Sequence, residues 1–313
     1  MLFSRREGKP GLIRALGQEG GAVRVLWAAV GILVATLDAC SGRCQPPMPA
    51  GQLVREVVYN ELHDHQQHRF WRYWVERRSP AGTRVEEQVE TADGPVSRLA
   101  MNNSQPLNAE AEEEEQSRLE KLLNSPGEQA RHVKQYDEDE QRIGRILALL
   151  PTAFVYTYDG EENGCYRLRF RPNPDDRAAT IEARLFHAMS GTLWVDVRWK
   201  RLARLDGQVE ENVDFGFGIL GRLYKGGWFE LERTQVSTTD WKTTRLEVHM
   251  NIRALLVKTF ARETSEVRGG FEPVPAGMSL AQGVALLSQG ETLAQSGKAG
   301  SPEAAPGAME LGR

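Results

Sequence analysis

Three histidines lie close together in the segment HDHQQH, where they could ligate a transition metal. On a helix, His65 and His68 share a face, while His63 lies away from both. No cluster of cysteines or glutamates at a familiar spacing completes a zinc site. We therefore interpret the segment as an exposed polar helix end, and we predict neither a metal nor any other cofactor.

Motifs of catalysis do not appear in the sequence. The glycine-rich segment from Gly216 to Gly221, GFGILG, has neither the preceding buried strand nor the lysine that a phosphate-binding loop requires. It is typical of a loop between strands. There is also no nucleophile elbow and no evident pair of catalytic carboxylates. The sequence therefore predicts a protein that is not an enzyme, and a hydrolase is the weaker alternative.

Arginines alternate with apolar residues in the segment YRLRFR, which runs from Tyr166 to Arg171. Such alternation is typical of a strand in an antiparallel sheet with one solvated face. The apolar face must then meet a core, a partner or a ligand. The arginines of this segment and of the following strands could bind anionic lipid head groups, or they could pair with carboxylates across strands, such as Glu230 and Glu232. These arginines are Arg167, Arg169, Arg171, Arg198, Arg201 and Arg204.

Composition and charge limit the class of protein. The chain has 313 residues, 40% of them hydrophobic, and a formal net charge of -4 at pH 7. This composition is globular. Basic and acidic residues are nearly balanced, whereas nucleic-acid binding needs a concentrated basic surface, so we predict no nucleic-acid partner.

The first 39 residues resemble a signal peptide of the lipoprotein type. A basic leader precedes the uncharged apolar run VLWAAVGILVATL, which is too short to span a bilayer comfortably. The run ends in LDACSG, which resembles a bacterial lipobox: Leu37, Ala39 and Cys40 match the pattern, and Asp38 departs from it. The resemblance implies that Cys40 is acylated and becomes the mature N-terminus. The alternative is an unpaired Cys40 thiol behind an uncleaved signal anchor.

Lipidation would place the protein on the periplasmic side of the cell envelope, anchored to a membrane. Ser41 after the cysteine resembles the sorting signal for the outer membrane. Residues 40–51 form a proline-rich tether. Cys44 in this tether and Cys165 could pair in an oxidising compartment, or both could be free thiols.

One domain is predicted over residues 52–290, followed by a disordered tail over 291–313. It begins with a short helix, a hairpin (FWRYWVERRS and TRVEEQVETADG) and a third strand near DGPVSRLAMN. A helical excursion over 107–150 follows, which Pro151 should end. Later segments alternate as an antiparallel meander, interrupted by the helix TIEARLFHAMSG, which Gly191 should terminate. A last helix, LAQGVALLSQ, closes the domain.

The segment from Arg169 to Val209 and the following FGFGILGRLYKGGWFELE resemble the outer-membrane lipoprotein-sorting family of the LolA and LolB type. The resembling features are FRPNP at a strand end, a helical stretch ending in MSGTLWVD, and the strand KRLARLDGQV. The resemblance implies an α+β fold in which a curved antiparallel sheet forms an open, incomplete β-barrel with helices covering its concave face. It also implies that this face accepts acyl chains of lipids or lipoproteins without covalent chemistry.

We therefore expect a monomeric envelope lipoprotein that binds or carries a hydrophobic ligand, namely a lipid or the acyl chain of a protein. An alternative is a ligand-sensing or interaction module that docks onto a membrane partner through its acidic helix at Glu112 to Glu115. The candidate ligand-lining residues are apolar positions of the strands and of the covering helix: Leu168, Phe170, Leu185, Met189, Leu193, Val195, Val248 and Met250.

Overall fold

A computed structural model describes residues 48–63, 69–215, 221–254 and 258–289. The predicted signal peptide, Cys40, Cys44, the tail and the histidines at 65 and 68 lie outside this range. Five helices occur in the described part: α1 (Ala50–Leu62), α2 (Ala109–Asn124), α3 (Pro126–Ala153), α4 (Ile181–His187) and α5 (Leu280–Gln289).

Thirteen strands form one antiparallel sheet in the described part. They are β1 (Phe70–Ser79), β2 (Gly82–Val89), β3 (Val96–Asn102), β4 (Gln105–Pro106), β5 (Phe154–Glu162), β6 (Cys165–Pro172), β7 (Met189–Asp196), β8 (Leu202–Val209), β9 (Val213–Phe215), β10 (Gly221–Leu223), β11 (Trp228–Gln235), β12 (Trp241–Ala254) and β13 (Lys258–Val274).

The strand order is β4-β3-β2-β1-β13-β12-β11-β8-β7-β6-β5, and β10 pairs with β12 and β9. Since β4 and β5 are the two edges, the sheet is open. The predicted fold class, an α+β protein with an open curved antiparallel sheet, is confirmed.

Side-chain caps start three of the helices. Asn108 accepts a hydrogen bond from the amide of Ala111 at 2.9 Å, Thr180 accepts one from Ala183 at 3.1 Å, and Ser125 accepts one from Glu128 at 3.4 Å. Each oxygen satisfies an amide that has no partner within its helix. The helical excursion therefore begins at Ala109 rather than at Leu107.

The two faces of the sheet are covered by different helices. We call the face with Tyr166, Leu168 and Phe170 the inner face, and the face with Arg167 and Arg169 the outer face. Helix α1 packs on the inner face of β5 to β8 through buried side chains on one of its sides. These side chains are Ala50, Leu53, Val54, Val57 and Val58.

Helices α2 and α5 pack on the outer face of β2 and β3, so the covered side of the sheet changes between its two ends. Leu119 of α2 and Leu287 of α5 lie in one cluster with Val89 and Val96. Glu115 of α2 accepts a hydrogen bond from the Leu99 amide at 2.8 Å. Beyond its short pairing with β4, strand β3 has a free edge within the described part of the chain, and Glu115 provides a hydrogen-bond acceptor for one backbone amide of that edge. An amide without such an acceptor would be open to pairing with another chain.

Two glycines face each other at the centre of the inner face. Gly191 of β7 pairs with Gly207 of β8, and the flanking partners in the same row are Phe170 and Phe229. A Cβ on Gly191 would lie 2.7 Å from the Phe170 ring, and one on Gly207 would overlap the Phe229 ring. The rings therefore fill the space that the glycines leave, an arrangement that permits curvature of a sheet.

Three predictions of local structure are wrong. Helix α3 continues through Pro151 to Ala153, because a proline in the last turn removes only the one helical hydrogen bond that its own amide would donate. The carbonyl of the neighbouring Leu150 accepts a hydrogen bond from the Tyr156 hydroxyl at 2.7 Å. Helix α4 ends at His187, so Met189 belongs to β7 and not to the helix. Gly191 does not end the helix; it lies in β7, where the lack of a side chain allows Phe170 and Gly207 to approach closely.

Strand β13 was not identified from the sequence. Its inner-face residues include Glu266 and Arg268, and charged residues at these positions hide the apolar alternation on which the strand prediction relied. It is nevertheless the strand that joins β1 to β12.

The glycine pair gives a test of this packing. We expect Gly207→Ala to lower the free energy of unfolding by about 1–3 kcal/mol, because the added methyl group overlaps the Phe229 ring. The control is Gly144→Ala in α3, where the new Cβ meets Leu62 at an ordinary 3.9 Å. Alanine in a helix interior should raise stability by about 0.5–1 kcal/mol. Urea denaturation measures both, and equal stabilities of the two variants would contradict the packing described.

Candidate functional site

The inner face carries a row of five leucines in register across five adjacent strands. Leu168 pairs with Leu193, Leu193 with Leu205, Leu205 with Leu231, and Leu231 with Leu246. Paired residues of antiparallel strands lie on the same face, so these side chains form a continuous apolar surface.

Exposure changes along this row. Leu168 and Leu193 are 0% and 7% exposed, whereas Leu205, Leu231 and Leu246 are half-buried. The difference follows from the position of α1, which covers β5 to β8 and whose C-terminal end lies at the first residues of β8. The uncovered part of the inner face therefore lies on β11 and β12.

Helix α4 closes the opposite end of the same strands. Leu185 packs with Met189, Val209 and Met250 in a cluster that also includes β9 and β10. Strand β8 runs from Leu202, beside α1, to Val209, beside α4. A stretch of inner face between the two helices is left, and we call it the trough.

The trough is formed by half-buried apolar residues at alternate positions. Phe229 and Leu231 of β11 are opposite Val248 and Leu246 of β12, and Met250 follows on the same face. Among the eight candidates for ligand contact, the structure therefore brings Val248 and Met250 into the trough. Leu185 and Met189 lie at its α4 end.

The other four candidates lie in the core beneath α1. Leu168 and Val195 are 0% exposed, and Phe170 and Leu193 are 6% and 7% exposed. These side chains pack against α1, Phe154 and one another. They therefore belong to the core that α1 covers.

Sequence reasoning missed Phe229, Leu231 and Leu246 as trough residues. The alternation in WFELE and RLEV contained the signal, since Phe229, Leu231 and Leu246 are the apolar members of predicted strands. Only the cross-strand register shows that they share one row with Leu193 and Leu205.

A buried ionic contact fixes the C-terminal end of α1 to the trough. The Glu61 carboxylate lies 2.6 Å from Nη1 of Arg233 in β11 and 3.7 Å from Nε of Arg201. It also accepts a hydrogen bond from the Leu202 amide at 3.2 Å. The side chains of Glu61 and Arg201 are both 7% exposed, so water screens this contact weakly.

A second ionic group ends the leucine row. Glu266 of β13 pairs in register with Leu246, and its carboxylate accepts from Nε of Arg77 at 2.8 Å and from Nε of Arg268 at 2.5 Å. Burial by itself would raise the pKa of Glu266, but Arg268 and Arg77 outweigh it and hold that pKa below its usual range. The carboxylate is therefore ionised at neutral pH.

Four of the six arginines named from the sequence fall into three groups. Arg204 lies within 3.8 Å of Asp206, Glu230 and Glu232 on the outer face, as the cross-strand pairing interpretation requires. Arg201 lies on the inner side with Glu61. Arg167 and Arg169 share the carboxylate of Asp159, at 3.1 and 2.8 Å. Hydrogen bonding by Arg169, followed by the charge of Arg167, lowers the pKa of Asp159.

His63 is the one histidine of the HDHQQH segment within the described residues. Its Nδ1 lies 2.7 Å from the Tyr59 carbonyl, and its ring stacks on Tyr59. Across the described ranges, no group of three or more potential metal ligands occurs, and no helix has the length and apolar character needed to cross a membrane.

Comparison with known proteins gives little further information. No protein-family model and no curated protein matches the chain. A similar solved structure is that of a DUF1329 family protein from Desulfovibrio piger, with 13% sequence identity and a TM-score of 0.29. The match covers 73% of this chain and 95% of that chain. Such a low TM-score supports no inference about function.

The ionic contact of α1 gives a second test. We expect Glu61→Ala to lower the free energy of unfolding by about 3–5 kcal/mol, because it removes the carboxylate that Arg201 and Arg233 share in a buried setting. Glu138→Ala is the control: this residue is 58% exposed and lies 3.8 Å from Lys134, so its loss should change stability by less than about 0.5 kcal/mol. Similar losses for both variants in urea denaturation would show that the Glu61 contact does not hold α1.

Proposed function

We propose that the protein binds the hydrophobic part of an amphiphile, such as the acyl chain of a lipid or lipoprotein, in the trough. One observation carries this proposal: Phe229, Leu231, Leu246, Val248 and Met250 are half-buried apolar residues on one face of two adjacent strands. Apolar residues that line a concave surface between covering elements are typical of ligand sites.

The apolar lining indicates how such a ligand would be recognised. Removal of apolar surface from water contributes about 25 cal/mol per Å², or about 0.8 kcal/mol per buried CH₂ group. The interaction is non-directional, so affinity should depend on chain length more than on the head group. Binding of this kind needs no catalytic residue, and we propose that the protein performs no covalent chemistry.

The position of α1 limits where this ligand can lie. Contact with Leu168, Phe170, Leu193 or Val195 would require α1 to leave the sheet, because its side chains fill that space. The proposed contacts are therefore confined to the trough and to its α4 end, at Leu185 and Met189.

The direct experiment is native mass spectrometry of protein purified without detergent, followed by solvent extraction and identification of any lipid. A stoichiometric lipid or acylated peptide would support the proposal. Titration with saturated fatty acids of increasing length should then show about a fourfold gain in affinity per added CH₂ group that is buried. A ligand-free mass with no uptake of fatty acids would reject the proposal.

A substitution in the trough tests the location of binding. We expect Val248→Asp to weaken fatty-acid binding at least tenfold, because a carboxylate would have to be desolvated against the chain. Asn251→Asp is the control, since it adds the same charge at an exposed position of the same strand. Val248→Thr, which keeps the β-branched shape, should weaken binding less but in the same direction. Equal affinities for Val248→Asp and Asn251→Asp would exclude the trough as the site.

We also propose that the protein is a monomeric lipoprotein of the cell envelope, anchored through Cys40 with the outer membrane favoured. The sequence LDACSG supports this proposal. The described residues begin at Met48, whose carbonyl accepts a hydrogen bond from the Tyr158 hydroxyl of the edge strand β5 at 2.7 Å.

Lipidation can be tested on the full chain. We expect metabolic labelling with an alkyne fatty acid to mark the wild-type protein and Cys40→Ser to abolish the label. Cys165→Ser is the control, because this half-buried thiol lies in β6. Equal labelling of wild type and Cys40→Ser would reject lipidation at Cys40.

The alternative function is that of an interaction module that docks through α2. Glu112, Glu113 and Glu114 are exposed on this helix, whereas Glu115 is bound to Leu99 and to Arg118. The surface for a basic partner is therefore smaller than the run of four glutamates indicates. A complex that dissociates with added salt and is lost on replacing Glu112 to Glu114 with glutamine would favour this function.

A further inference from the structure

The outer face of β5, β6 and β7 contains an open depression that the proposed trough does not involve. Its volume is about 510 Å³, and its lining combines arginines, hydroxyl groups and one carboxylate with Phe170, Gly191 and Trp194. The polar lining residues are Thr157, Asp159, Arg167, Arg169, Arg171, Ser190 and Thr192.

Strand register explains how these groups come together. Arg169 of β6 pairs with Thr157 of β5 on one side and with Thr192 of β7 on the other. Arg167 and Arg171 lie two residues away on the same strand and share its outer face. The three guanidinium groups therefore follow one line, with a hydroxyl group on each side of the central one.

Charge in the depression is unbalanced. Three arginines against Asp159 leave a net charge of +2 among the lining residues. Asp159 engages Arg167 and Arg169, and Glu162, which is not part of the lining, reaches Nη1 of Arg167 at 3.8 Å. Arg171 is exposed and has no ion-pair partner among the residues that the structure describes. This differs from Arg204, which three carboxylates surround.

We propose that this depression binds a phosphate group. A phosphate monoester carries a charge of about -1.5 to -2 near pH 7 and presents several strong acceptor oxygens, which complements a charge of +2. Guanidinium groups bind such oxygens in a fork, and the hydroxyls of Thr157 and Thr192 supply further donors beside Arg169. The volume exceeds that of a phosphate ion, so the group belongs to a larger molecule, either a lipid head group or a soluble phosphate ester.

The experiment uses the full chain carrying Cys40→Ser, so that no acyl anchor contributes to membrane binding. Binding of inorganic phosphate and of glycerol 3-phosphate is measured by calorimetry. Flotation is then measured with vesicles of phosphatidylcholine alone and of phosphatidylcholine mixed with phosphatidic acid, whose head group is a phosphate monoester. Binding of soluble phosphates without flotation would identify a soluble ester as the ligand, and selective flotation with the anionic vesicles would identify a lipid head group.

Two variants locate the site. We expect Arg169→Gln combined with Arg171→Gln to weaken phosphate or vesicle binding at least tenfold, because it removes the central guanidinium group and the one without an ion-pair partner. Both side chains are exposed, so the fold should be retained, as circular dichroism would verify. Arg131→Gln combined with Arg142→Gln is the control with the same loss of charge at exposed positions of α3.

The outcomes separate this site from the trough. Val248→Asp should leave phosphate binding unchanged, since Val248 lies on the inner face. The proposal is overturned if neither phosphate nor anionic vesicles bind, or if the double variant at Arg169 and Arg171 binds as well as its control. A loss of equal size in both double variants would indicate nonspecific charge attraction and would also overturn it.

Discussion

The pairing of β1 with β13 joins two half-sheets that are covered on opposite faces. On one side of this junction α1 and α4 lie on the inner face, and on the other side α2 and α5 lie on the outer face. Arg77 bonds to Glu266 across the junction, and the ring of Trp74 lies over Gly269 and Gly270. The pairing of β1 with β13 extends from Phe70 to Arg78 with one register shift between Arg72 and Trp74, so a single sheet changes its covered side at this junction.

The same junction limits the apolar surface of the trough. The leucine row runs in register through Leu246 and then meets Glu266 and Arg77, so an apolar ligand finds no favourable contact beyond β12. At the other end of the row, α1 fills the space above Leu168. The central glycines permit Phe170 and Phe229 to approach from both sides. The trough is thus the part of the inner face that lies between α1, α4 and these charged residues.

Local patterns in the sequence predicted most elements but little of their arrangement. Alternation identified β1 at Phe70–Ser79 and β6 at Cys165–Pro172, and composition identified α5 at Leu280–Gln289. It failed for β13, where inward charges pair across strands, and for Met189, where apolar spacing suits a helix as well as a strand. Half of the candidate ligand residues lie in the core, because α1 covers them. The position of α1 depends on contacts such as that of Glu61 with Arg233, two residues that are 172 positions apart in the sequence.

The β1–β13 junction also has a consequence for the order of folding. Its partners Arg77 and Glu266 are separated by 189 positions, so the first hairpin of the chain must wait for the last strand. Contacts this distant in sequence slow folding, because a long loop must close before they form. During synthesis, one edge of β1 stays unpaired until β13 has emerged, and exposed edges of this kind favour association between chains. The hairpin of β1 and β2 is therefore open to association with other chains until β13 has been synthesised and pairs with β1.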